Sequence, residues 1–160
     1  MAVNKYKPHV LVIPEDDANR QLADAFALEV ENFRNIQVLP EVGGWGHVCD
    51  KFHSEYAKSM RVYPNRYVIL LLDIDDCESR RNEIMSKIPQ DIKSRVLLLG
   101  VKNEPERLKS DLLCPLAQIG ASLARECKDR RREIWMHDLL KDNLDGIDIL
   151  GDGISAILFE

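Results

Sequence analysis

Apolar and polar positions follow two distinct rhythms along this chain. His9–Pro14 (HVLVIP) and residues 36–39, 67–72 (YVILLL) and 95–99 (RVLLL) are short apolar runs closed by polar or turn residues. Runs of this length that are apolar on both faces suit strands at the centre of a parallel sheet covered by helices. Between them, residues 19–33 carry Leu22, Ala25, Phe26 and Val30 at helical spacing, and helices are predicted over about 47–60, 77–88, 104–113 and 115–133. Pro40, the turn Gly43-Gly44-Trp45-Gly46 and Pro115 punctuate the pattern. Residues 147–159 are apolar, with glycines at 151 and 153, and fit a strand or a helix equally.

Strands alternating with helices predict an α/β fold: a mostly parallel sheet of four or five strands, flanked by helices and joined by right-handed crossovers. A chain of 160 residues is one domain's worth, expected as a core over about 9–100 and a helical C-terminal extension over 101–160. In such sheets ligands bind at the carboxyl ends of the strands. Glu15, Asp16 and Asp17 follow the first strand, and Asp73, Asp75 and Asp76 follow the third. Acidic residues distant in sequence are therefore expected on one edge of the sheet.

Neighbouring carboxylates repel and raise each other's pKa, and a divalent cation relieves that cost. Mg²⁺, or Mn²⁺ in its place, takes oxygen ligands and needs only one or two carboxylates besides waters and a substrate phosphate. Asp73 and Asp75, two residues apart, can face one ion, with Glu15 arriving from the adjacent strand. The bland account of the same residues is helix capping, expected at Asp16 or Asp17 for the first helix and at Asp75 or Asp76 for the third.

Composition narrows the field. The net charge of −5 gives no global attraction for nucleic acid, so such binding would need a local basic patch or a bound cation. The strongest basic run is Arg125, Lys128, Arg130, Arg131 and Arg132, offset by Glu126, Asp129 and Glu133, and reads first as a solvated helix face. No apolar stretch reaches the length of a membrane span, and the N-terminus lacks the apolar core of a signal peptide. The four cysteines form no CxxC pair, which is the usage of reduced thiols in a cytoplasmic protein. His47, Cys49 and His53 lie close together, but only the last two share a helix face, so a polar surface is expected there rather than zinc. The glycine turn at 43–46 has no GK[ST] and is no P-loop.

A Glu directly after the first strand, a glycine-bearing turn after the second, and Asp-x-Asp after a hydrophobic third strand together resemble the Toprim domain. This is the metal-binding module of topoisomerases, bacterial primases and overcoming-lysogenization-defect nucleases, and the resemblance spans about residues 9–100. It implies Glu15 as general base or metal ligand and Asp73 and Asp75 as Mg²⁺ ligands. Lys102 would then be an assisting catalytic cation and Glu104 a further ligand. It also implies phosphodiester cleavage of nucleic acid, with a separate ATPase partner in phage defence. Asp16 stands where the family usually has glycine. The opening Val10–Asn19 is also similar to a response-regulator receiver, with Asp73 as phosphoacceptor, although the span to Asp73 is long and Gly100 replaces the expected hydroxyl residue. A Toprim-like module that only docks on a partner is the third reading.

Overall fold

The computed structural model describes residues 3–74 and 78–160. Four strands, β1 (His9–Pro14), β2 (Ile36–Val38), β3 (Arg66–Leu71) and β4 (Val96–Leu99), form one sheet in the order β2-β1-β3-β4. Every pairing is parallel, as the apolar runs predicted. β1 and β3 are central, and β1 is buried along its whole length. The expected α/β architecture is thus what the chain forms, with four strands rather than five.

Successive side chains of a strand point to opposite faces, and the core divides accordingly. Leu11, Ile13, Val68, Leu70 and Leu98 face one helical layer. That layer begins with α2 (Trp45–Lys51), passes through a π-helical turn at Phe52–Tyr56 into α3 (Ala57–Val62), and continues with α4 (Glu78–Ser86) and α5 (Gln90–Lys93). Phe52 and Met60, fully buried here, are each worth roughly 1.5–3 kcal/mol of apolar burial. Val10, Val12, Ile69 and Leu97 face the other layer, formed with α1 (Asp17–Leu28) and the helices after the sheet.

Those later helices are α6 (Pro105–Leu112), α7 (Leu116–Asp129) and α8 (Leu144–Phe159). α6 starts with Pro105 at its first position, where the missing N–H costs nothing. α7 lies against α1 so closely that a Cβ on Gly120 would sit 2.4 Å from the Leu22 carbonyl oxygen. The helices of the expected C-terminal extension thus share one layer with α1. The undecided tail is helix α8, which lays Ile154 and Leu158 on the sheet.

α7 ends at Asp129, because Arg130 takes a left-handed conformation (φ 58°). Arg131 and Arg132 are thus in a loop, and the expected basic helix face stops short of them. The outer edge of β4 is closed by side chains. Arg81 Nη1 donates to Leu98 O at 3.1 Å, and Asn143 exchanges two hydrogen bonds with the Gly100 backbone at 2.8 and 2.9 Å. Asn143 thereby does what a neighbouring strand would do, and the edge is not left open.

Candidate functional site

Pro14 ends β1, and the next three residues turn into α1 over the carboxyl edge of the sheet. Asp16 is the N-cap: its Oδ1 accepts from Asn19 N at 2.9 Å. The capping expected at Asp16 or Asp17 falls on Asp16, and Asp17 is the exposed first residue of the helix.

Glu15 belongs to the site rather than to the cap. Its Oε2 accepts from Asp73 N at 2.6 Å, across a separation of 58 residues. The Trp45 N–H at the start of α2 points to the same carboxylate. The glycine turn makes this approach possible: Gly43 and Gly44 have φ of 83° and 141°, and their N–H groups donate to Glu15 O at 2.8 and 3.2 Å. So the turn wraps the Glu15 backbone instead of presenting its own amides to a phosphate.

Asp73 lies two residues past the end of β3. Its Oδ1 accepts from Asn19 Nδ2 at 2.8 Å, and the same amide donates to Asp16 Oδ1 at 2.8 Å. Asn19 is fully buried, and its Oδ1 has no hydrogen-bond partner among the described residues. Arg80 in α4 completes the group: its guanidinium lies 4.8 Å from the Trp45 ring centre, and Nη1 donates to Asp73 O at 3.3 Å.

Burial and like charge dominate the electrostatics. The Asp73 carboxyl is pushed up to about 7, first by burial and then by Glu15, Asp16 and Glu106, against the Asn19 amide that favours its charged form. Glu15 is also raised, because burial and Asp16 outweigh the Asp73 and Trp45 N–H groups and the Arg80 charge. Two half-buried carboxyls held at the ends of adjacent strands, both resisting ionisation, form an oxygen-rich site that favours either protons or a cation.

Glu15 and Asp73, named from sequence, are thus brought together. Asp75 and Asp76, and with them the expected cap of the third helix, lie outside the described residues. Lys102 pairs its backbone N–H with Leu139 O at 2.8 Å, and its charge acts on Asp138. Glu104 is exposed at the N-cap position of α6 without a side-chain capping bond, and it is Glu106 whose charge acts on Asp73. Among the described residues no three His, Cys, Asp or Glu side chains are grouped to hold a metal ion, either here or around His47, Cys49 and His53.

Asn19 and Arg80 were missed in the sequence. Asn19 stands three residues after a capping Asp and reads as ordinary helix, while Arg80 is one charge on a polar helix. The parallel pairing of β1 with β3 makes Asn19 a neighbour of Asp73, and the turn from β3 into α4 brings Arg80 back to it.

The chain matches no family model, and no curated protein or solved structure matches it significantly. What the fold defines is an α/β domain with a four-stranded, all-parallel sheet and an acidic group at the carboxyl edge of its two central strands. No helix among the described residues is long and apolar enough to cross a membrane.

Proposed function

We propose that the domain uses a divalent cation, Mg²⁺ or Mn²⁺, for phosphodiester chemistry on nucleic acid, most simply cleavage, with an ATPase as its natural partner. The observation that carries this reading is the pairing of Glu15 with Asp73 at the strand ends, with the Asp73 carboxyl pushed up to about 7. Two carboxylates are what Mg²⁺ takes from a protein when waters and a substrate phosphate supply its remaining ligands. The donor set is all oxygen and suits a hard cation; Asp75, two residues on, is the expected third ligand.

When bound, the cation would supply Lewis acidity toward a phosphoryl oxygen. The chain's own residues do the rest. Asp73, oriented by Asn19, is the ligand. Glu15, held by the Asp73 and Trp45 N–H groups, takes up a proton or joins the ligand set. Arg80, whose Nη1 donates to Asp73 O, supports this reading as the cation beside the site, and Lys102 is the assisting cation that the resemblance implies.

The test is cleavage of labelled single-stranded DNA, duplex DNA and RNA with Mg²⁺ or Mn²⁺, by wild type and by Asp73→Asn. Metal-dependent cleavage lost by roughly 100-fold or more in the variant supports the reading. Absence of cleavage, together with absence of Mn²⁺ binding by calorimetry, overturns it.

One observation favours the receiver-like reading: β2-β1-β3-β4 is the start of the strand order of flavodoxin-like domains, whose ligands sit at the β1/β3 switch point. Labelling of Asp73 by acetyl phosphate would establish that reading. Binding to a partner that survives Asp73→Asn and Glu15→Gln would establish the docking module.

A further inference from the structure

Away from the acidic edge, the face of the sheet under α8 is not closed. A cavity of about 490 Å³ lies between the sheet, α1, α7 and α8. Its inner wall is apolar, formed by Val12, Ile69 and Leu97 from the strands and by Phe26, Leu123 and Leu158 from the helices. Protein interiors hold few voids larger than a water molecule, and an apolar cavity of only about 150 Å³ already takes up small apolar guests. The volume found here lies within the roughly 300–1,000 Å³ of ordinary ligand pockets.

The outer end is polar and basic. Lys128, Arg130, Arg131 and Arg132 all border it, against the exposed carboxylates of Asp152 and Glu160. The buried Glu126 carboxylate also borders it, but both its oxygens accept from Ile134 N–H, so it is committed to the loop. The four cations hold exposed partners: Lys128 with Glu31, Arg130 with Glu160, Arg131 with Asp129 and Glu133, and Arg132 with Asp148. Exposed pairs of this kind are individually weak and screened, so the side chains can turn to a better anion. The left-handed Arg130 that ends α7 is what brings this basic run to the cavity mouth.

We infer that this cavity binds an amphiphile with a single alkyl chain and an anionic head group, the chain lying between the sheet and α8 and the head group meeting the Arg130–Arg132 loop. Charge complementarity selects an anion, and the apolar inner wall selects the chain. A carboxylate and a phosphate monoester present the same chemistry to arginine, since both accept paired N–H groups.

Calorimetry on the full chain with myristate, dodecyl phosphate and dodecylamine, all below micelle formation, tests this. Both anions are expected to bind saturably and the amine is not; binding of only one anion supports the proposal and identifies the head group. Ser155→Phe, which fills the cavity, and the double change Arg131→Glu with Arg132→Glu, which reverses the mouth, should each weaken myristate by roughly tenfold or more. Should Ser155→Phe fail to melt cooperatively, the double change at the exposed loop carries the test alone. No binding of either anion, amine binding as tight as that of the anions, or unchanged affinity in the folded variants overturns the proposal.

Discussion

Asn19 and Asp73 are 54 residues apart, yet the Asn19 amide sits 2.8 Å from Asp73 Oδ1, in a position where the side chain is fully buried. The same amide holds Asp16, so one neutral group ties the cap of α1 to the end of β3. Truncation by Asn19→Ala removes two hydrogen bonds to carboxylates and is expected to cost about 2–4 kcal/mol in urea unfolding. Asn19→Asp should be worse above about pH 7, since it adds a third carboxylate to Asp16 and Asp73, and closer to Asn19→Ala at about pH 4. Equal losses at both pH values would sink the account of Asn19 as a bridge between anions.

A cation should stabilise this edge of the fold. At about 100 times its dissociation constant, Mn²⁺ is expected to add about 2.7 kcal/mol, or roughly 5–10 °C in melting temperature. Asp73→Asn should abolish the shift, and Glu15→Gln should reduce it. The check is a melt by circular dichroism with and without Mn²⁺. A shift that Asp73→Asn retains would place the ion elsewhere.

The opposite edge of the sheet holds a second buried polar pair. Arg66 Nε donates to His9 Nε2 at 2.9 Å, and the other ring nitrogen, Nδ1, lies 2.7 Å from Lys7 O. His9 is therefore neutral, donating through Nδ1, and burial followed by the Arg66 charge holds its pKa below the ordinary 6.5, against the bond to Lys7. With the folded pKa depressed, the unfolded chain takes up the proton first as pH falls. The stability contributed by neutral His9 is present above about pH 6.5 and declines as acid is added below it. The raised Asp73 and Glu15 carboxyls act in the opposite sense over the same range, so the check is the difference between wild type and His9→Gln, which share them: in urea unfolding from about pH 7.5 down to 5 the advantage of wild type should shrink as pH falls.

Gly120 tests the helical layer. A methyl group there would meet the Leu22 carbonyl oxygen at 2.4 Å and the Ala25 Cβ at 2.9 Å, so α1 and α7 must separate. Gly120→Ala is expected to cost about 2–4 kcal/mol despite the better helix propensity of alanine. A neutral or stabilising result in thermal melts would show that the two helices can move apart freely.

The sheet was legible because its strands are apolar on both faces, which only a covered parallel sheet accommodates. The pairing of Glu15 with Asp73 was legible for a related reason, since parallel strands put their carboxyl ends on one edge. The tail was not legible. Ile147, Leu150, Ile154 and Leu158 have helical spacing, but two glycines weaken that signal, and packing against β1 and β4 decides for α8. The length of α7 was overread because Arg130–Arg132 have good helix propensity, and the left-handed turn at Arg130 leaves no mark in composition.

Local chemistry in the chain determined where strands and helices begin, which carboxylates follow which strand, and that the sheet would be parallel. These depend on the alternation of apolar residues and on prolines and glycines acting over a few positions. The tertiary structure decided what surrounds those carboxylates. It brought Asn19 between Asp16 and Asp73, set Arg80 over Trp45, closed the edge of β4 with Asn143 and left a cavity under α8. Each of these depends on groups tens of residues apart, and their burial and mutual charge exist only once the layers have packed.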